Sequence, residues 1–153
     1  MVFQHLKSIY LAYKKAPHFN TYYPILEKLL TPEYDSLASL NIEIIKSLAE
    51  ITGSKCPLLT SSSMNIESDD RNQRLIEICR KLDADTYLSG KGGMGYHDTD
   101  AFDKANINIL PLNFTHPAYP QSKPGFTPNL SVIDALFNLG PKLIELFEPG
   151  LGH

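Results

Sequence analysis

The sequence predicts an α/β fold with a short parallel sheet of about three strands, flanking helices and a helical N-terminal region. Apolar residues recur at helical spacing through the first third of the chain, and strand-like and helix-like segments then alternate as far as residue 114. Two more helical segments follow a proline-rich stretch. The alternation of strand and helix at this spacing predicts right-handed βαβ units, and therefore a parallel sheet.

Three helices are expected in the N-terminal region. The first covers residues 3–15 and ends ahead of Pro17, because the residue before a proline resists helical geometry. The second runs from about residue 21 to 30 and the third from about 34 to 51. Gly53 follows the third helix and is expected to form its C-terminal cap.

The alternating part begins at residue 56 with a short predicted strand and a serine turn, which together span residues 56–63. A helix is expected next, with Ser68 as its N-cap and with Asp69 and Asp70 in its first turn, where the helix macrodipole favours acidic residues. This helix covers residues 68–84. The segments that follow it are a strand over 85–90, a short helix over 98–106 and a strand over 107–114.

A proline-rich loop and two helices are expected at the end of the chain. Residues 115–130 contain four prolines and are expected to cover a surface. Helices over 131–138 and 141–148 follow, separated by Gly140. Ser131 is expected to cap the first, with Asp134 at its third position in an arrangement like a capping box.

The composition excludes several classes of protein. The chain has 153 residues, 42% hydrophobic and 20% charged, which suits one globular domain rather than a disordered segment. A net charge of -3 argues against nucleic acid as the main partner. No run of 18 apolar residues is present, so no membrane span is expected, and the N-terminal residues do not resemble a signal peptide. Two cysteines indicate a reducing, cytoplasmic location.

The stretch Tyr87–Asp98, YLSGKGGMGYHD, is the candidate ligand-binding loop. It follows a predicted strand, and ligands in open α/β sheets bind outside the carboxyl ends of strands. Glycines let backbone N–H groups converge on an anion, and a lysine and serine hydroxyls add donors. The candidate substrate-binding residues are Ser61, Ser62, Gly90, Lys91, Gly92, Gly93 and Tyr96. A mobile glycine turn with a solvated lysine is the alternative, since GKGGMG is not a P-loop motif.

Three residues are candidates for catalysis. His97 can act as an acid or base near neutral pH, although a surface histidine is the commoner outcome. Asp98 and Asp134 can orient a hydroxyl or an amine, and Asp98 fits equally well as the N-cap of the next helix. The histidines and cysteines show no metal-binding spacing, so no zinc site is expected, and the sequence leaves the identity of any cofactor unknown.

Read in order, four segments resemble the WbqC-like family. They are YKKAPHF at 13–19, the serine run at 61–63, RLIEICRKLDADTYLSGKGGMGYHD at 74–98 and FTPNLSVIDALFNLG at 126–140. In the last of these, the residues that match the family pattern are Phe126, Pro128, Leu130, Ser131, Asp134, Phe137, Asn138 and Gly140. His97 departs from the leucine that family members often carry, which weakens a catalytic role for it.

The resemblance implies a role in bacterial O-antigen, surface-polysaccharide or modified-sugar biosynthesis. It also implies that residues 1–153, a single α/β domain, correspond to the C-terminal portion of a larger family fold. The first hypothesis is a group-transfer or ligation enzyme, or half of one, that binds a phosphorylated or nucleotide-linked small molecule. The second is a non-catalytic assembly module that forms a homodimer or joins a partner protein. The third is a complete small domain with a different ligand.

Overall fold

A computed structural model describes residues 2–90 and 92–146. The chain divides into two compact units, residues 1–56 with 116–153 and residues 57–115, referred to below as the helical unit and the sheet unit. Among the described residues, none of the helices combines the length and apolar character needed to cross a lipid bilayer.

The helical unit begins with three helices close to the predicted positions, α1 (Val2–Tyr13), α2 (Phe19–Leu30) and α3 (Leu37–Ile51). Helix α3 begins where Ser36 accepts a hydrogen bond from the backbone N–H of Ser39, and it ends before Gly53, whose φ of 68° only glycine adopts readily. Helix α2 places Phe19, Tyr22 and Leu26 in the core.

The core of the helical unit is completed by the C-terminal segment. Helix α6 (Val132–Leu139) buries Ala135, Leu136 and Phe137, and a 3₁₀ helix (Gly140–Leu146) follows it. The ring of Phe137 is fully buried and lies 4.8 Å from the ring of Tyr13 and 5.6 Å from that of Phe19. These aromatic contacts attach α6 to the first two helices.

The sheet unit contains two strands, β1 (Thr86–Ser89) and β2 (Asn108–Pro111), which pair in parallel. Helices α4 (Arg71–Lys81) and α5 (Thr99–Lys104) share one small core with them. The buried members of this core are Ile76, Cys79, Phe102 and Ile107. Leu88 and Leu110, which pair in register, are each 54% exposed.

The α/β class, the parallel sheet and the helical N-terminal region are confirmed, but the sheet has two strands in the described residues rather than about three. The short strand predicted at the start of residues 56–63 is wrong, because residues 57–60 have no regular structure. The serines that follow, where a turn was predicted, form a 3₁₀ helix, Ser61–Met64. Pro57 lacks the N–H that a strand ladder needs, and the serines satisfy local backbone groups instead, as when Ser63 Oγ donates to the carbonyl of Thr60.

Two predicted helix caps also differ. Asp70, rather than Ser68, caps α4 by accepting the backbone N–H of Gln73 at 2.8 Å, because an Asp carboxylate at this position meets the helix N-terminus directly. Ser131 occupies the N-cap position of α6 but makes no side-chain cap bond. The side chain of Asp134 turns into the protein interior instead of reaching back to the cap.

Gly140 is the glycine with the least room for a side chain. Its φ of 58° and ψ of -131° disfavour other residues, and an added Cβ would lie 2.6 Å from Nδ1 of His18. We expect Gly140→Ala to lower the free energy of unfolding in urea by about 1 to 3 kcal/mol. Gly125→Ala is the control, because Gly125 also has a positive φ but no atom within 4 Å of the added Cβ. Equal effects of the two changes would contradict the close contact with His18.

Candidate functional site

The carboxyl edge of the sheet brings together the glycine-rich loop and the start of α4. Helix α4 leads directly into β1, so its N-terminus lies at the same edge as the end of that strand. The Arg71 guanidinium lies over the Tyr96 ring, 5.9 Å from its centroid, and Asn72 Oδ1 accepts the backbone N–H of Asp98 at 3.2 Å. The loop therefore packs against a helix that carries an arginine in its first turn.

Within the loop, a hydrogen bond connects the end of β1 to residue 97. Ser89 Oγ and His97 Nε2 are 2.8 Å apart, and Ser89 Oγ lies 3.2 Å from the carbonyl of Gly90. The Ser89 hydroxyl can thus donate to that carbonyl while it accepts Nε2–H. An added Cβ on Gly93 would lie 2.7 Å from Ser89 Oγ and 3.0 Å from His97 Nε2, so only glycine fits there without displacement.

The Ser89–His97 pair holds the loop together and is closed to a substrate. Ser89 is 1% exposed, and the ring of His97 lies edge-on to the rings of Tyr87 and Phe102. Among the described residues, none provides a hydrogen-bond partner for the buried Nδ1 of His97. A serine nucleophile needs an accessible oxygen and an oriented base. This pair provides neither, so the geometry favours a positioning role for His97.

The outer surface of the loop is open. Added Cβ atoms on Gly90, Gly92 and Gly95 would meet nothing within 4 Å, and Tyr96 is 68% exposed. Lys91, the predicted charged residue of the loop, lies outside the described residues. The exposed backbone of the loop and the Arg71 guanidinium are the groups at this edge that can donate to an anion.

The two carboxylates at this edge are helix caps. Asp98 accepts the backbone N–H of Ala101 at 3.1 Å, which confirms the prediction of Asp98 as the N-cap of α5. Asp70 has the same role at α4. Both carboxylates occupy the positive ends of their helices. Neither helix N-terminus is therefore free at this edge, and the described groups there that could donate to an anion are the Arg71 guanidinium and the loop backbone.

Ser61 and Ser62 are exposed on the 3₁₀ helix that packs against α4. Asn65, just beyond that helix, accepts a hydrogen bond from Lys81 Nζ at the C-terminal end of α4. Tyr96 and Asp98 lie at the opposite end of α4, about 15 Å away along its axis. Binding of one ligand by the serines and the glycine loop stays a prediction.

A second polar cluster lies in the helical unit, around Asp134. Asp134 is 4% exposed in the first turn of α6, and its Oδ2 accepts hydrogen bonds from Tyr119 Oη at 2.8 Å and Gln121 Nε2 at 3.1 Å. Burial, together with the carboxylate of Asp134, raises the pKa of Tyr119 to about 12. Burial and the charge of Asp134 raise the pKa of Tyr13 to about 12 as well.

The same cluster shapes the proline-rich loop and borders a cavity. The Gln121 side-chain amide donates to the carbonyl of Thr127 and accepts the N–H of the same residue. Ser122 Oγ lies 2.6 Å from Oδ1 of Asn138. The Asn138 side-chain amide in turn donates to the carbonyl of Asp134. The cavity measures about 320 Å³. Its lining residues are Ala12, Tyr13, Gln121, Ser122, Lys123, Thr127, Leu130 and Asp134.

Other reactive side chains give no site. The described part of the chain holds no group of three or more His, Cys, Asp or Glu side chains placed for a metal ion. Cys79 is buried, and burial raises the pKa of its thiol, which opposes a role as a nucleophile. A cavity of about 350 Å³ between α4 and α5 is bordered by Arg80 and Lys104, but both lie at helix C-termini, where partial negative charge opposes an anion.

Four residues of these sites were not predicted from the sequence: Arg71, Ser89, Tyr119 and Gln121. Arg71 is the first residue of α4, directly after its N-cap Asp70. A prediction of Asp70 as the cap would have placed Arg71 at the start of this helix. Ser89 lies within the strand predicted over 85–90 and is the last residue of β1, where a polar side chain can face the loop. The partners of Asp134 come from an irregular segment, so no periodic signal marks them.

Comparison with known proteins relates almost the whole chain to one family. The model described as the WbqC-like protein family matches residues 2–146. An uncharacterized protein of Mycobacterium tuberculosis, Rv1507c, is 27% identical over 138 residues, which cover 89% of this chain and 59% of that protein. The chain thus spans less than two thirds of the length of this relative. No solved structure matches the chain at a significant level.

The close contact at Gly93 generates a stability prediction. We expect Gly93→Ala to separate Ser89 from His97 and to lower the free energy of unfolding by about 1 to 3 kcal/mol, the usual effect of overpacking. Urea unfolding measures this, and the side-chain NMR signals of His97 report the broken pair. Gly95→Ala is the matched control, because its Cβ would enter open space. A Gly93→Ala protein as stable as the control would show that the pair is not closely packed.

The raised pKa values of Tyr13 and Tyr119 predict a loss of stability at high pH. Below pH 10 both phenols stay protonated in the folded and unfolded chain; between pH 10 and about 12 only the unfolded phenols ionise, so the free energy of unfolding falls as pH rises. Each group adds a slope of at most about 1.4 kcal/mol per pH unit. Urea unfolding from pH 9 to 11.5 should show a shallower fall in Tyr119→Phe than in the wild type. Identical slopes would contradict the assignment for Tyr119.

Proposed function

The chain belongs to the WbqC-like protein family, and we propose that it binds the phosphoryl group of a phosphorylated or nucleotide-linked small molecule at the glycine-rich loop, residues 90–96. The proposed context is bacterial O-antigen, surface-polysaccharide or modified-sugar biosynthesis in the cytoplasm. The reaction proposed for the full-length family proteins is group transfer or ligation. We propose that this chain carries the substrate-binding part of that reaction.

The observation that carries this proposal is the convergence of Arg71 with the loop. The guanidinium lies over Tyr96 and forms no ion pair or hydrogen bond with any described residue, so its N–H groups are available to a ligand. An arginine fork suits the oxygens of a phosphate, and the glycines leave backbone N–H groups accessible. Tyr96 is exposed and can also stack on a base or a sugar.

The surrounding charge limits the affinity of such a site. Residues 57–115 contain nine acidic and six basic side chains. Asp70 and Asp98 lie at the same edge as the loop, and their charges oppose an anion. The proposed binding therefore relies on the Arg71 guanidinium, and on Lys91 as a residue of the loop sequence, rather than on the net charge of the sheet unit.

A second candidate function is a non-catalytic assembly module. Leu88 and Leu110 lie side by side on the sheet and are each more than half exposed, whereas parallel sheets normally have both faces covered. A second copy of the chain is the proposed occupant, since a two-fold contact places the same apolar patch against itself. An assembly module needs no catalytic residues, which agrees with the structural roles of His97 and Asp98 in the loop and the α5 cap.

Substitution of Arg71 tests the phosphoryl site. Thermal melting should show stabilisation by a phosphorylated sugar or a sugar nucleotide, with roughly 2.7 kcal/mol at a ligand concentration of a hundred times the dissociation constant. We expect Arg71→Ala and Lys91→Ala each to weaken binding by about 1 to 3 kcal/mol, the scale of a charged hydrogen bond. Arg80→Ala is the matched control, because it removes the same charge about 14 Å away on the same helix.

Each contrary result has a definite meaning. Equal weakening by Arg71→Ala and Arg80→Ala would indicate general electrostatic attraction and remove the loop from the proposal. If phosphate, nucleotides, sugar nucleotides and acyl-coenzyme A all fail to raise the melting temperature, the phosphoryl proposal is wrong. Light scattering that shows a dimer, lost on Leu88→Lys, would then support the assembly module.

A further inference from the structure

We infer that the cavity beside Asp134 binds the ammonium group of a small hydroxylated amine. This site lies in the helical unit and involves none of the residues proposed to bind a phosphoryl group. Its components are a buried carboxylate, a cavity that reaches it, and polar side chains around the cavity.

The hydrogen bonds that attach the proline-rich loop to α6 do not require a negative charge. Tyr119 Oη and Gln121 Nε2 both donate to Oδ2 of Asp134. The oxygen of an asparagine amide would accept both donors with the same geometry. The charge of Asp134, and its second oxygen, therefore have no necessary part in holding the loop.

Asp134 also has no cationic partner. Within residues 2–90 and 92–146, the one side-chain ion pair joins Lys46 to Glu43 on the surface of α3. Buried carboxylates are normally paired with a cation, because neutral donors only partly replace the lost hydration. The N-terminus of α6 contributes a partial positive charge, which does not complete an ion pair. A ligand ammonium would complete it.

The remaining lining of the cavity indicates what else the ligand carries. The Ser122 hydroxyl is 2.6 Å from Asn138 Oδ1 and donates to it, so the Ser122 oxygen can accept a ligand hydroxyl. Tyr13 adds a donor, and Ala12 and Leu130 are apolar. The exposed Lys123 also lines the cavity, and its charge opposes a ligand ammonium, so the buried carboxylate is the group that would attract the amine. A volume of about 320 Å³ is at the small end of ligand cavities, so the geometry points to a compact molecule.

Isothermal titration calorimetry with related probes tests this inference. Glucosamine and ethanolamine carry an ammonium and hydroxyl groups, whereas glucose lacks the amine and N-acetylglucosamine has it blocked. At pH 6.5 we expect at least one of the two amines to bind at least tenfold more tightly than both glucose and N-acetylglucosamine. Asp134→Asn should weaken amine binding at least tenfold.

A further variant separates the amine site from the proposed phosphoryl site. Arg71→Ala, in the sheet unit, should leave amine binding unchanged, so the phosphoryl and amine sites succeed or fail separately. If Asp134→Asn does not fold, the comparison of amine with acetylated amine on the wild-type chain still decides the matter.

Three outcomes would overturn the inference. One is the absence of heat with both amines at millimolar concentration. Another is equal binding of glucosamine and glucose, which would indicate recognition of hydroxyl groups alone. The last is unchanged amine affinity in a folded Asp134→Asn protein, which would assign the carboxylate a purely structural role.

Discussion

The hydrogen bonds to the buried carboxylate of Asp134 are the interaction on which the helical unit depends. Residues 115–130 have no regular backbone hydrogen bonding, and their four prolines cannot donate any. Tyr119 and Gln121 attach this segment to α6 instead, and Gln121 closes it on itself through Thr127. Side-chain hydrogen bonds to a buried carboxylate thus hold this irregular segment in place, as backbone hydrogen bonds to a neighbouring strand hold a β-strand.

In the sheet unit, the glycine-rich loop after β1 is likewise an irregular segment that side-chain hydrogen bonds hold in place. A glycine-rich loop loses more conformational entropy on ordering than other segments, and a two-stranded sheet offers few contacts to offset that loss. The Ser89–His97 hydrogen bond closes the loop, and Gly93 allows its backbone to lie against both side chains. The contact of Arg71 with Tyr96 then fixes the outer side. The inner part of the loop is thus built for rigidity, while its outer backbone stays open.

Sequence patterns predicted elements well where one local interaction decides the structure. The Asp98 cap of the short helix α5, the Gly53 cap of α3 and the strand that ends at the glycine-rich loop all follow from neighbouring residues. The short strand predicted before the serine turn, within residues 56–63, was wrong because a short apolar run also fits irregular chain, and strand formation there would need a partner that local sequence does not specify. Asp134 was misassigned to a cap because local capping and tertiary burial compete for the same side chain, and only the fold decides between them.

The candidate sites show the same division. The glycine loop could be recognised from composition and from its place after a strand, but Arg71 reaches it only because α4 and α5 pack side by side. Tyr119 and Gln121 come from a segment without periodicity, so their convergence on Asp134 is visible only in three dimensions. The sequence indicated a backbone cradle at the glycine loop and an acidic acceptor at Asp134. Only the fold shows which of the two has a charged side chain beside it. At the loop, Arg71 supplies a positive charge. At Asp134, the described residues provide no cation that pairs with the carboxylate. This difference argues for an anionic ligand at the loop and a cationic ligand at Asp134.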